Sequence, residues 1–415
     1  MIRARTKEWV RKVPAGWRDG RLKDFFSYAK GLNITKADLV EDGVAVVSYG
    51  QIHAKHNTGT HLDQSLIRYV PEETAVACPN SKLKEGDIVF ADTSEDLDGV
   101  GNCVLNDSGD EVYAGYHALI ARARFPQHSK YLSYLFQTDT WRGQVRTRAS
   151  GIKVFSLTQR VLNPVTVILP PLPEQKRIAA FLDAKCADID KAIETKRKQL
   201  DCIDEMWKNI LYKATTQGLG TARMVKTRNR LFPEIPQGWK IKRLKRICSM
   251  RSGDNLGAAD ILPEGEYPVY GGNGLRGYYS DFNVSGRFIL VGRQGALCGN
   301  VHLVDGDFWA TEHALITTLR PNIEIRYAAY MMDAMNLNQY ASQSAAQPGL
   351  AASKILNVET VVPSCPEQCE IANYLDAKRK NLDELTDNLR RQIEVLADYR
   401  KSLIHECVMG ERRVG

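Results

Sequence analysis

Apolar and polar positions follow two rhythms along this chain. From Pro173, and again from Pro366, apolar residues recur every three or four positions over about 40 residues. Elsewhere the apolar runs are short and β-branched, as in VAVVSYG, GDIVFAD and RFILVGR, and are bounded by Gly, Asp or Asn. The first rhythm predicts two long helices and the second predicts β-rich globular modules between them. SKYLSYLFQTDTWRGQV from Ser129 and RYAAYMMDAMNLNQYA from Arg326 predict one helix in each module.

The two long helices are copies of one another. PEQKRIAAFLDAK at Pro173 and PEQCEIANYLDAK at Pro366 share nine of thirteen residues. Upstream, PAGWRDGRLKDFFSYAKG from Pro14 pairs with PQGWKIKRLKRICSMRSG from Pro236, and HALI occurs at both His117 and His313. The chain is a tandem duplication of a globular module followed by a helix. Its predicted segments are a first module over 1–169, a first helix over 170–218, a second module over 219–362 and a second helix over 363–415.

Proline and glutamate at 173–174 suit a first helical turn, and Gly218 supplies a left-handed stop. A heptad register places Leu182, Ile189, Ile193, Leu200, Ile203, Trp207 and Ile210 on one seam, with Lys196 interrupting it. The second helix repeats leucine at 375, 382, 389, 396 and 403, a coiled-coil spacing. The first helix carries the chain away from module one, so the second can lie beside it only by running back. The expected fold is α+β: two β-rich modules in pseudo-two-fold repeat, separated by two long helices in an antiparallel coiled coil. At 1.5 Å per residue each helix spans roughly 60 Å.

Composition changes this picture little. With 415 residues, 43% hydrophobic and 25% charged, the chain suits two or more soluble domains. MIRARTKEWVRK lacks the apolar stretch of a signal peptide, and no run is long and apolar enough for a membrane span, so a cytoplasmic setting is expected. Nine cysteines without a CxxC pair fit reduced thiols there, with Cys365 and Cys369 the closest pair. The net charge of +7 permits an acidic partner such as DNA without requiring one.

Loops rich in glycine and polar groups hold the candidate contacts. YGQIHAKHNTGTH offers Tyr49, Gln51, His53, Lys55, His56 and Asn57; VRTRASGIKVFS offers Arg146, Arg148 and Lys153. VYGGNGLRGYY offers Asn273, Arg276, Tyr278 and Tyr279; Arg293 closes RFILVGR, and QSAAQPGLAASK offers Gln343, Gln347 and Lys354. Amide, guanidinium, ammonium and aromatic groups are those that contact base edges and phosphates. His53, His56 and His61 imitate a metal set but lack carboxylate or thiol companions at ligand spacing, so no metal is expected. Asp190, Glu194 and Lys196 imitate nuclease chemistry but fall on a helix face, where charges are ordinarily solvated or face a partner. No GxxxxGK[ST] loop occurs, and no cofactor is expected on this chain.

The PxGW entries at Pro14 and Pro236, the PPLPEQ and PSCPEQ helix entries, the following IAxxLDAK and the alternation of modules resemble, over almost the whole length, the specificity subunit of type I restriction-modification enzymes. The resemblance implies that each module reads one half of a split target in double-stranded DNA. It implies that the helices set the spacer and dock two methyltransferase subunits. S-adenosylmethionine would belong to those partners, and ATP with Mg to any restriction subunit. PSCPEQ in place of PPLPEQ is expected to loosen the second helix start. The alternative is a duplicated coiled-coil scaffold whose loops bind protein.

Overall fold

The structure, a computed structural model, describes residues 13–125, 127–151, 153–220, 222–295, 298–342 and 349–414. The chain divides into two compact units, and each draws on both repeats. One unit is Met1–Thr195 with Gln392–Gly415, and the other is Lys196–Arg391. The boundaries cut across both long helices, so each helix begins in one unit and ends in the other.

In the first unit, strands β1 (Arg18–Arg21), β2 (Phe26–Lys30), β3 (Val44–Val47), β4 (Arg68–Val70), β5 (Ile88–Ala91), β6 (Cys103–Leu105), β7 (Val112–Ala114), β8 (Ala118–Ala123) and β9 (Thr166–Leu169) form three sheets. The largest is antiparallel with order β2-β8-β5-β6; the second has order β4-β3-β7, with β3 and β7 parallel; β1 pairs antiparallel with β9. Every residue of β5 is buried, because one side faces the core of Phe26, Phe90, Phe136 and Trp141 and the other faces Val47, Ile52 and Val104.

The second unit repeats this plan. Its strands are β10 (Met224–Lys226), β11 (Glu234–Pro236), β12 (Lys240–Arg243), β13 (Cys248–Ser252), β14 (Tyr267–Gly271), β15 (Gly274–Tyr279), β16 (Val284–Ser285), β17 (Phe288–Gly292), β18 (Val301–Val304), β19 (Asp307–Ala310), β20 (Ala314–Leu319) and β21 (Glu359–Val362). They form the sheets β13-β20-β17-β18 and β15-β14-β19-β16 and the pairs β12-β21 and β10-β11.

Two predictions about local elements need correction. Residues 129–146 form not one helix but two, α1 (Ser129–Leu135) and α2 (Asp139–Arg146). Thr138 divides them: its hydroxyl donates to Leu135 O at 2.7 Å and accepts from Trp141 N at 3.3 Å, ending one helix and capping the next. The second helix start is also firmer than PSCPEQ suggests. Ser364 N and Oγ both donate to Glu367 Oε2, at 3.1 and 2.6 Å, a serine-to-glutamate capping arrangement preceding the helix.

The long helices are α3 (Leu172–Gln217) and α5 (Cys365–Val408), with the shorter α4 (Ile325–Ala334) between them in sequence. Gly218 follows α3 at φ +74° and Gly410 follows α5 at φ +73°, the left-handed stop that a glycine takes without a side-chain clash. In the first unit Ile178, Leu182 and Cys186 of α3 share a core with Leu403, Ile404 and Cys407 of α5, and Arg400 Nε lies 3.0 Å from Asp190 Oδ1. In the second, Trp207, Leu211 and Ala214 share a core with Ile371, Ala372 and Leu375, and the Arg379 guanidinium lies 5.2 Å from the Trp207 ring. In both units the partner number falls as the α3 number rises, so the helices run antiparallel. Of the seam residues, Leu182, Ile189, Ile203, Trp207, Leu375, Leu389 and Leu403 are buried, while Ile193, Leu200, Ile210, Leu382 and Leu396 are half-buried.

The repeated motifs are the fastenings between module and helix. The PEQ glutamine is buried in both copies: Gln175 Oε1 accepts from His128 N and its amide donates to Pro170 O, while Gln368 Oε1 accepts from Glu324 N and its amide donates to Pro363 O. The LDAK aspartate accepts from a module tyrosine, Tyr134 to Asp183 at 2.8 Å and Tyr330 to Asp376 at 2.7 Å. The PxGW tryptophan packs where the other repeat's helix ends, with Trp17 at Gly410 and Trp239 at Gly218. A second module tyrosine holds that helix end: Tyr131 donates to Val408 O at 3.0 Å and Ile168 O at 3.2 Å, and Tyr327 approaches Val361 O at 3.2 Å and Thr215 O at 3.5 Å.

A Cβ on Gly410 would sit 2.4 Å from Pro14 and 3.2 Å from Trp17, whereas on Gly218 its nearest neighbour is Trp239 at 3.3 Å. Both positions carry the backbone penalty of roughly 1 kcal/mol, so Gly410→Ala is expected to destabilise more than Gly218→Ala; equal losses in denaturant unfolding would contradict the packing at Pro14. Tyr131→Phe leaves two buried carbonyls without their donor. The expected loss is about 1–3 kcal/mol, read as a lower unfolding midpoint, and an unchanged midpoint would remove the tyrosine from this role.

Candidate nucleic-acid interface

The stretch that begins at Tyr49 opens with one helical turn and continues from His53 as the loop its composition suggests. Residues Tyr49–Ile52 follow Ser48, whose backbone N–H donates to Gln51 Oε1 at 3.3 Å. The signal was present in sequence as Ser-x-x-Gln. This turn presents Tyr49 to Tyr116 and His117, each with ring centroids 5.5 Å away, and to His53 at 6.0 Å. His117 adopts φ +51° and bonds through Nδ1 to Asp92 Oδ1 at 3.1 Å. Tyr116, His117 and Asp92 thereby join the candidate surface at Tyr49, a grouping that sequence reasoning missed; HALI at His117 marked the duplication only.

Several candidates in this unit are occupied internally. His53 Nδ1 faces the Asn102 amide at 3.0 Å and Nε2 faces Thr93 O at 2.8 Å. An amide N–H donates, so Nδ1 accepts and Nε2 carries the proton, leaving neither ring nitrogen for a base edge. The Asn57 amide donates to Ile52 O and Cys103 O while its oxygen accepts from Gly59 N. Lys55 and His56 are exposed, and so is Lys153. His61 pairs with Asp107 at 2.7 Å, so the three histidines separate. Among the described residues no group of three or more His, Cys, Asp or Glu is placed to hold a metal ion.

Arg146 is the last residue of α2, and Arg142 lies one turn before it. Both guanidiniums donate to Asp98 O, at 3.0 and 3.3 Å, and Arg142 also donates to Asn102 Oδ1 at 2.8 Å. They line a cavity of about 690 Å³ with Asn57, Asp139 and His405. Burial holds the Arg142 guanidinium below its usual pKa range. Arg148 turns back to Gln144 O at 2.6 Å.

In the second unit VYGGNGLRGYY is a hairpin, not a loop. Strands β14 and β15 pair with Tyr267 opposite Tyr279 and Gly271 opposite Gly274, and Gly274 takes φ +87°. Asn273-Gly274 is a strong short-range hairpin signal, here masked by the flanking glycines. The hairpin exposes Asn273, Leu275 and Arg276; Tyr278 and Tyr279 are half-buried, with Tyr279 edge-on to Trp309 at 5.3 Å. Asn273 Oδ1 accepts from Asn300 at 2.9 Å, and Arg293 donates to Ser252 Oγ at 2.8 Å. Lys354 is exposed on the short helix Ala352–Ile355. Gln343 and Gln347 lie outside the described residues.

Each unit thus carries a mixed aromatic, amide and cationic surface on its module. The chain is similar to known proteins in sequence and in fold. The family model described as "Type I restriction modification DNA specificity domain" matches residues 14–201 and 236–395, once per repeat. The chain is 46% identical over 188 residues to the type I restriction enzyme EcoprrI specificity subunit of Escherichia coli, an alignment covering 44% of this chain and 46% of that protein. It is 22% identical over 442 aligned positions to the type I restriction enzyme MjaVIII specificity subunit of Methanocaldococcus jannaschii, covering 97% and 94% of the two chains. A chain solved in a study of complex assembly and conformational transition of the type I R-M system superposes with a TM-score of 0.69 over 97% of this chain and 100% of its own length, at 17% identity. No helix among the described residues is long and apolar enough to cross a membrane. With the family model spanning both repeats, the chain belongs to the type I restriction-modification DNA specificity family.

Proposed function

We propose that this DNA specificity subunit reads a split duplex target, one half with each unit. The observation that carries the reading is the reciprocal build of the units: each has its own module, its own PxGW and PEQ fastenings, and the ends of both helices. In the first unit the reading surface is formed by Tyr49, Tyr116 and His117, and the exposed Lys55, His56 and Lys153 supply cationic contacts. In the second it is the β14–β15 hairpin, where Arg276 and Asn273 supply donors and Tyr278 supplies a face. Residues already bonded inside the unit, such as His53 and Asn57, act as struts for this surface.

In this reading the helices set the length of the unread spacer. Their outward apolar residues support docking by methyltransferase partners: Met206 and Tyr212 are each 50% exposed, and Val395 is 66% exposed. Chemistry belongs to those partners, with S-adenosylmethionine on the methyltransferase subunits and ATP with Mg on a restriction subunit where one joins. The chain itself contributes recognition, not catalysis, and works in the cytoplasm.

Two measurements test this. Exchange of residues 14–165 for the corresponding module of a relative is expected to change one half of the methylated target and leave the other, as read by methylation mapping; a change in both halves would refute independent reading. Arg276→Ala with Tyr278→Ala is expected to weaken binding to the mapped target by about 1–3 kcal/mol for each side chain truncated. The loss should be confined to the half-target assigned to the second module. Unaltered affinity would leave the hairpin without a reading role and favour protein as the partner of these loops.

A further inference from the structure

The positive charge of this chain is concentrated away from the surfaces just described. Residues 223–246 contain nine cations, Arg223, Lys226, Arg228, Arg230, Lys240, Lys242, Arg243, Lys245 and Arg246, against the single acid Glu234. Their net charge of +8 exceeds the +7 of the whole chain, so all other residues together carry −1. The corresponding segment of the first copy, residues 1–24, is also basic, with eight cations against three acids.

The second unit brings several of these cations together where the hairpin tip meets the end of β12. Strands β10 and β11 form a hairpin whose tip is locked: Thr227 Oγ1 donates to Phe232 O, and Asn229 Oδ1 accepts from Leu231 N and Phe232 N at 2.8 and 3.1 Å. The Asn229 amide then donates to Glu359 Oε2 at 2.7 Å. Glu359 is the register partner of Arg243 and lies 3.9 Å from its Nε. Lys245 bonds Asn357, two residues before Glu359, at 2.9 Å. One carboxylate thereby pins the hairpin tip, with Arg228 and Arg230 on either side of Asn229, against the basic strand β12. All nine cations except Lys242 are exposed. Among the described residues only Arg243 and Lys245 of the nine have a side-chain partner.

Clustering so many uncompensated cations on a rigid support costs self-repulsion, which a polyanion would reverse. Four of the nine are lysines, a residue type depleted at protein–protein interfaces, and against nine cations the segment exposes two large apolar side chains, Met224 and Leu231, and no aromatic anchor group. Duplex DNA, with one charge per roughly 1.7 Å of axis, fits this chemistry better. The patch also lies on a different sheet from the β14–β15 hairpin, beside the helices, since Trp239 at the start of β12 bonds Glu367 of α5 at 3.2 Å.

We propose that residues 223–246 form a sequence-independent anchor for the phosphate backbone of duplex DNA, separate from the surface that reads bases. This rests on the DNA-recognition reading. The anchor supplies much of the affinity and its salt dependence, while the β14–β15 hairpin supplies selectivity.

The test uses the full chain, a 40-base-pair duplex and a salt series from about 50 to 200 mM. Arg223, Arg228, Arg230 and Arg246 are replaced together by Gln; none has a side-chain partner among the described residues, so the fold should persist, as an unchanged unfolding midpoint would verify. The slope of log K against log salt is expected to shallow by about 0.9 for each phosphate no longer neutralised, and affinity at low salt to fall at least about tenfold. The matching four Arg→Lys changes should keep the slope. An unaltered slope in the Gln variant, with the wild type binding DNA, overturns the anchor and leaves the recognition reading intact. Wild type that binds polyglutamate but no DNA overturns both. Arg276→Ala serves as the opposite control, expected to lower preference for the mapped target while retaining the slope; loss of slope in that variant instead would place the phosphate contacts on the hairpin and overturn the separation.

Discussion

The last carbonyls of a helix have no partner within it, and when they are buried the surrounding structure must supply one. Here a module tyrosine does so at the end of the other repeat's helix, Tyr131 at Val408 and Tyr327 at Thr215. The rest of the architecture follows from that requirement. Because the helix end comes from the opposite repeat, neither repeat completes a core alone: the first compact unit is discontinuous in sequence, and the second is a continuous stretch that spans the repeat boundary. The tryptophan of PxGW covers the same helix end, packing on a glycine whose positive φ stops the helix beneath it.

The opposite ends of the helices are held by a different device. Gln175 and Gln368 each bridge a module backbone N–H and a carbonyl just ahead of the helix, so the helix direction is set relative to its own module. A buried amide satisfied on both sides is costly to replace, since an apolar substitute leaves the donor and acceptor it served without partners. Asp183 and Asp376, about two turns further on, receive the second pair of tyrosines. The repeated motifs are in this sense structural joints, and the side chains suited to touching DNA lie elsewhere.

Those side chains divide by how they are held. His53, Asn57 and Arg148 are occupied by bonds within the first unit, which makes them supports for their neighbours. Lys55, His56, Lys153 and Arg276 are exposed. Residue type alone does not separate these groups, because a histidine or asparagine in a polar stretch reads the same whether its hydrogen-bonding capacity is used internally or offered outward.

The duplication, the two long helices, their antiparallel relation and the glycine stop at Gly218 are properties of the sequence itself. They arise from local periodicity and from chain order, which need no knowledge of distant contacts. The hairpin around Val269 and the helical turn at Tyr49 also carried local signals, Asn-Gly and Ser-x-x-Gln, that were outweighed by polar and glycine-rich composition. The break at Thr138 depended on a hydroxyl bonding two backbone groups in a buried setting, and apolar periodicity continued across it. Which helix end enters which core, that Glu359 gathers the basic hairpin to β12, and that His117 meets Tyr49 were decided only in three dimensions. These contacts join residues separated by roughly 70 to 280 positions, and their energies come from burial and from matching donors to acceptors, quantities that no stretch of sequence contains by itself.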